Sequence, residues 1–136
     1  MNMRRIYLMR HGETLYQDSS SDGAIGGGTL TERGEEQIRA LARIFEKIPL
    51  DRIYSSLLGR ARETANILAR EKGMEVRLAS ELREISPAEG WITGKGVGEI
   101  FREATAFFKN PHTTWDDPYL GGETLRQVQK RALRFV

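Results

Sequence analysis

The sequence has 136 residues, 39% hydrophobic and 29% charged, a length that fits one compact domain with a real core and excludes two. Its 21 Lys and Arg against 19 Asp and Glu leave a formal charge of +2, so nothing demands a nucleic-acid or membrane partner, although a local arginine cluster could still bind a small anion. With no cysteine, disulfides, thiolate metal sites and a thiol nucleophile are all excluded.

Met1 to Met9 carries two arginines and a short apolar run, without the longer apolar stretch and small-residue cleavage site of a secretory signal. No segment is long enough to span a bilayer, and a cytoplasmic location is expected. Arg5 to Met9 (RIYLM) is apolar and β-favouring and stops at Arg10-His11-Gly12, which predicts a buried strand with the histidine at its carboxyl end. Gln17 to Thr29 is rich in Ser, Gly and Asp without a hydrophobic period and predicts a loop.

Thr31 is placed to cap a helix reaching about Ile48, because Ile38, Leu41, Ala42, Phe45 and Ile48 recur at three- and four-residue spacing before Pro49. Arg52 to Ser55 predicts a second strand, about Gly59 to Lys72 a helix ended by Gly73, and Glu75 to Leu78 a third strand. Strand, helix and strand in that order predict a right-handed crossover into a parallel sheet.

Ala79 to Gly96 is broken by Pro87, Gly90, Gly94 and Gly96 and predicts a long loop. Val97, Ile100, Phe101, Ala104, Phe107 and Phe108 form a helical stripe that reads as plain core rather than as a ligand box. After a Pro- and Gly-punctuated connection from Asn110 to Gly122, Leu125, Val128, Ala132 and Phe135 give a last helical stripe without a terminator.

Ligands of open α/β sheets bind at the carboxyl ends of strands, and both Arg10-His11-Gly12 and Ser55-Ser56 lie at such ends. A neutral imidazole can attack phosphorus while guanidinium groups clamp the charged oxygens by paired hydrogen bonds, and Gly12 lets backbone approach the phosphate. One His beside one Arg would still fit a structural or surface role.

The surrounding motifs narrow the choice. Leu8-Met9-Arg10-His11-Gly12-Glu13-Thr14 resembles the signature of the histidine phosphatase, or phosphoglycerate mutase-like, superfamily, and Ile53-Tyr54-Ser55-Ser56-Leu57-Leu58-Gly59-Arg60-Ala61-Arg62-Glu63-Thr64-Ala65 resembles its second motif. Leu30-Thr31-Glu32-Arg33-Gly34 with Gln37, Glu81-Leu82-Arg83-Glu84-Ile85 and Gly121-Gly122-Glu123-Thr124 resemble three further stretches of that family.

The resemblance implies an α/β three-layer sandwich with a mainly parallel sheet. It implies that His11 is the nucleophile that becomes phosphohistidine, that Arg10 and Arg60 hold the phosphoryl oxygens, and that Glu84 protonates the leaving oxygen, with Glu81 and Glu89 as nearby competitors. A carboxyl in such a role is expected in a partly desolvated pocket, because an alkoxide leaves poorly without a proton. Gln17 stands where the family has a phosphate-binding asparagine, one methylene longer. Glu123 is expected to support the last helix rather than react. Neither metal nor cofactor is required, since the arginines supply positive charge.

The family's second catalytic histidine, which follows an apolar strand after the last helix, has no counterpart before Val136. Residues 1–136 are therefore expected to be a single domain, incomplete at its carboxyl-terminal end, that exposes sheet edges and apolar surface. Such a domain is either poorly stable alone or pairs with another copy as a homo-oligomer. His112, following a helix and Pro111, reads as a surface residue, and a metal site from His112, Asp116 and Asp117 is too common a pattern to carry weight.

Phosphomonoester hydrolysis is the leading expectation, with a small phosphorylated substrate or inorganic phosphate as partner. The short connection from Glu84 to Gly121 favours a phosphatase over phosphoglycerate mutase-type transfer. A further alternative is a phospho-ligand-binding or oligomerising domain without turnover. The Gly26-Gly27-Gly28-Thr29 run is a poor phosphate loop, since no lysine follows it.

Overall fold

Thr31 starts the first helix by geometry as well as composition: its backbone is extended and its hydroxyl accepts the Gly34 N–H at 2.9 Å. In the computed structural model, which describes residues 4–14 and 29–135, this helix, α1, spans Glu32–Phe45. Gln17 and most of the Gln17 to Thr29 segment lie outside the described residues. Glu32 and Glu35 in the first turn and Arg43 in the last suit the helix dipole, and Ile38 and Ala42 are buried.

α1 ends at Phe45, short of the expected Ile48, in a tighter turn where Glu46 N–H donates to the Arg43 carbonyl at 3.2 Å and Ile48 N–H to that of Phe45 at 3.0 Å. The Lys72 ammonium donates to the carbonyls of Phe45, Glu46 and Ile48 at 2.9, 3.0 and 3.0 Å. A helix end whose free carbonyls are met in this way can leave the helical path before Pro49.

Strand β1 (Ile53–Ser55), helix α2 (Gly59–Lys72) and strand β2 (Val76–Leu78) follow in the expected order. The strands pair in parallel, with Ile53 opposite Val76, Tyr54 opposite Arg77 and Ser55 opposite Leu78. Gly73 ends α2 with a left-handed φ of 63°, its N–H reaching the carbonyls of Ala69 and Arg70. Ala42, Ile53, Ala65, Leu68 and Ala69 form the core between α1, α2 and β1, with Met9, Phe45, Leu50, Met74 and Val76 packed against it.

The strand expected at Arg5 to Met9 does not form a ladder: among the described residues, β1 and β2 make the only sheet. The alternation of a strand survives, since Tyr7 meets Phe45 edge-on at 5.3 Å and Met9 packs against the core, while Ile6 and Leu8 are exposed. A β-favouring pattern sets side-chain direction, whereas a ladder also needs a neighbouring backbone.

Helix α3 (Val97–Lys109) corrects another expectation, because none of its residues is buried and Phe101 and Phe108 are 48% and 55% exposed. Its carboxyl end meets the following loop, where Phe107 and Phe108 lie with ring centres 5.2 and 5.3 Å from that of Tyr119. A helical stripe shows that one face is apolar and is silent on what covers it. Helix α4 (Leu125–Phe135) completes the order and buries Arg131. Among the described residues no helix is long and apolar enough to cross a membrane.

Candidate active site

The segment carrying His11 lies against the start of α1 more closely than any side chain would allow. A Cβ on Gly12 would stand 2.6 Å from the Gly34 carbonyl oxygen, and one on Gly34 would stand 2.2 Å from that of Glu13. Two glycines therefore let two backbones touch. The contact is fixed by Thr31 N–H donating to the Glu13 carbonyl at 2.9 Å, Glu13 N–H to Gln37 Oε1 at 3.0 Å, and the Thr31 hydroxyl to Glu13 Oε1 at 2.9 Å.

A second tie runs to α2. Gly12 N–H donates to the buried hydroxyl of Thr64 at 3.1 Å, and that hydroxyl donates to the Arg60 carbonyl at 2.9 Å. His11 and the first turn of α2 are thus joined through one side chain. The His11 ring is oriented locally: Nδ1 lies 2.7 Å from the Gly12 carbonyl oxygen, which can only accept. Nδ1 therefore carries the proton in the neutral ring, and the lone pair is left on Nε2.

α2 starts without an acidic residue in its first turn and without a side-chain cap at Leu58, and instead places Arg60 there. A cation at the positive end of a helix opposes the dipole by about 0.3–1 kcal/mol, and a bound anion would reverse that cost. Arg60 is buried, and its guanidinium donates to the carboxylate of Glu84. His11, Arg60 and Glu84 are linked in sequence by Gly12, Thr64 and this ion pair.

Glu84 departs from expectation in one respect: its side chain is 65% exposed rather than desolvated. It follows a short 3-10 turn (Ser80–Leu82) whose Glu81 carbonyl, with that of Glu84 itself, accepts from Arg131 of α4. Burial, with the Glu84 charge adding to it, pushes the Tyr119 phenol above its ordinary range. Arg10 is exposed, as is Glu89, and Glu81 is half-buried with its carbonyl engaged by Arg131.

Glu123 supports the fold as anticipated. Both its oxygens accept from Arg131, at 2.8 and 2.9 Å, and Arg83 stands 3.2 Å away. The Arg131 hydrogen bonds, reinforced by the charges of Arg131 and Arg83, hold the Glu123 carboxyl below the usual carboxylate range. His112 is exposed, Asp116 is paired with Arg126, and Asp117 accepts from Thr114. Among the described residues no three His, Asp or Glu side chains come together as a metal site.

Thr64, inside the second motif, and Arg131, outside every motif, make contacts that the sequence alone does not assign. Thr64 sits one helical turn after Arg60, a spacing that already lets its hydroxyl reach back along α2. Arg131 lies three residues after Val128 on the apolar side of α4, a position at odds with a solvated arginine.

With this arrangement in view, the sequence of residues 6–136 matches the family described as Histidine phosphatase superfamily (branch 1). The chain belongs to the histidine phosphatase superfamily. Among curated relatives, the protein named Probable phosphoglycerate mutase GpmB of Salmonella paratyphi A is 28% identical over 130 residues, which is 95% of this chain and 60% of that protein. This chain therefore spans about 60% of the length of the curated relatives it matches.

Solved histidine phosphatases share the α/β fold. A mycobacterial glucosyl-3-phosphoglycerate phosphatase in complex with inorganic phosphate superposes with a TM-score of 0.69 at 27% identity, over 92% of this chain and 57% of that one. YhfR of Bacillus stearothermophilus gives 0.67 at 30% identity, over 93% and 62%. The α-ribazole phosphatase of Shigella flexneri gives 0.64 at 25% identity, over 93% and 62%. The neighbours are thus phosphatases as well as a mutase-like relative.

Proposed function

We propose that this chain hydrolyses phosphomonoesters through a phosphohistidine on His11. The observation that carries the reading is the 2.7 Å contact from His11 Nδ1 to the Gly12 carbonyl, which leaves Nε2 as the attacking lone pair beside the Arg60 turn. Nε2 attacks phosphorus in line as the ester P–O bond breaks, and Glu84 gives its proton to the leaving oxygen. Water then attacks the phosphoryl group, the P–N bond breaks, Glu84 recovers a proton from that water, and inorganic phosphate departs.

Arg60 and Arg10 hold the non-bridging oxygens during both steps, so positive charge stands where negative charge accumulates. Gln17, which lies outside the described residues, is assigned an amide contact to phosphate only through its alignment with the family's asparagine. Phosphatase is favoured over mutase by the short connection between Glu84 and Gly121 and by the phosphatases among the similar solved structures. The curated relatives named as phosphoglycerate mutases keep phosphoryl transfer between glycerate hydroxyls as the second reading.

An aryl phosphate assay beside a His11→Ala control tests the proposal, with phosphorus NMR of the alkali-quenched protein to detect phosphohistidine, whose P–N bond survives base but not acid. Turnover that disappears with His11, together with a trapped phosphoryl group, is the expected result. Phosphate binding without any trapped phosphoryl group would point to a phospho-ligand-binding domain instead. Interconversion of 2- and 3-phosphoglycerate faster than hydrolysis would favour the mutase.

A further inference from the structure

Glu84 presents a positioning problem. An acid that must meet one leaving oxygen is usually held by packing, yet this side chain is 65% exposed and the preceding Leu82 and Arg83 are exposed too. Beyond its pairing with Arg60, its placement rests on the backbone beneath it. One buried guanidinium grips that backbone at two points: Arg131 Nη1 donates to the Glu81 carbonyl at 2.6 Å and Nη2 to the Glu84 carbonyl at 3.2 Å.

The grip is itself oriented. Arg131 Nε and Nη2 engage the two oxygens of Glu123, so the planar fork has little freedom to rotate. Glu123 in turn donates its N–H to the Ser86 carbonyl at 2.8 Å. Gly122 lies so close to Ser86 and Pro87 that an added Cβ would stand 2.3 Å from the Ser86 oxygen and the Pro87 carbonyl carbon. The turn before α4 and Arg131 within it therefore clamp residues 81–87 from one side, and the Glu84 side chain leaves the other side toward Arg60.

Resting on the hydrolase reading above, we propose that Arg131, locked by Glu123, is a positioning residue that sets where the Glu84 carboxyl meets the leaving oxygen. It touches neither substrate nor the reacting atoms. Its removal must therefore harm proton delivery more than nucleophilic attack.

Leaving-group dependence separates this role from a merely structural one. The experiment compares the parent chain, Arg131→Lys, Glu123→Gln and Glu84→Gln on an aryl phosphate with an acidic phenol and on an alkyl phosphate. The lysine keeps charge but loses the fork, and the glutamine keeps shape but weakens the lock.

Arg131→Lys and Glu123→Gln are expected to lose about 10-fold or more kcat on the alkyl ester and less than about 2-fold on the aryl ester, the pattern set by Glu84→Gln. Adding Arg131→Lys to Glu84→Gln is expected to cause little further loss on the alkyl ester, since the group it positions is already gone. Equal losses on the two esters, or unchanged leaving-group sensitivity, would overturn the assignment. If Arg131→Lys fails to fold, Glu123→Gln decides by the same ratio. No turnover by the parent chain on either ester would sink the hydrolase reading, and the positioning role with it; normal parent turnover with unselective variants would sink the positioning role alone.

Discussion

The guanidinium of Arg60, buried in the first turn of α2, donates to the carboxylate of Glu84 across 24 residues of sequence. In the proposed reaction these are the phosphate clamp and the acid, so the pair fixes their separation before substrate arrives. Arg60→Lys keeps the charge but loses the fork, and kcat/KM is expected to fall by about 100-fold, comparable to loss of one oxyanion donor. Steady-state kinetics on an aryl phosphate checks this, and a fall of less than about 3-fold would place the clamp elsewhere.

Thr64 offers a finer probe because its hydroxyl links the Gly12 N–H to the Arg60 carbonyl. Thr64→Val preserves shape and leaves a buried N–H without a partner, which costs about 1–3 kcal/mol. Urea unfolding should show that loss, and kcat should fall with it as the His11 turn loosens. Thr64→Ser restores the hydroxyl and is expected to recover most of both. A valine variant as stable and active as the parent would mean that Gly12 does not depend on this bond.

The Glu123–Arg131 pair predicts an acid limb in stability. The folded Glu123 carboxyl is held below its ordinary range, chiefly by the Arg131 hydrogen bonds, so folding favours its ionised form. That contribution is complete above the unfolded carboxylate range and is lost as pH falls through the lower folded pKa. Urea midpoints measured from neutral pH downward should decline more steeply for the parent than for Glu123→Gln. Parallel curves would show that this pair does not govern the acid limb.

Much of this architecture is written locally. Thr31 as cap, Gly73 as terminator and the apolar period of α1 and α2 act within one or two turns, and short-range patterns carry them. What the sequence hides is partnership over distance. Ile6 and Leu8 look like strand residues, but pairing depends on a neighbour that no local pattern specifies. Phe101 and Phe108 look like core for the same reason. Arg131 stands on the apolar side of α4, but its partners, Glu123 and the carbonyls of Glu81 and Glu84, are set by the fold and not by the local pattern. The motifs mark His11, Arg60, Thr64 and Glu84 as positions, whereas the bonds by which Thr64 joins Gly12 to Arg60 depend on how the segments pack.

Gly34 carries the last prediction, because its role is steric and has a built-in control. A Cβ there would stand 2.2 Å from the Glu13 carbonyl oxygen and 2.9 Å from the Glu13 nitrogen, both backbone atoms that cannot swing aside. Gly34→Ala must push the 12–14 segment off α1, costing about 1–3 kcal/mol as overpacking does. Activity should fall further than stability alone explains, because His11 moves with that segment and a misplaced nucleophile loses in-line geometry. Gly98 in α3 has only the Arg102 Nη1 at 3.9 Å near such a Cβ. Gly98→Ala should therefore leave turnover unchanged and raise stability by up to about 1 kcal/mol through helix propensity. Thermal unfolding and kcat measured on both alanine variants check the pair. Equal behaviour of the two would show that the close approach of Gly12 and Gly34 does not hold the His11 turn.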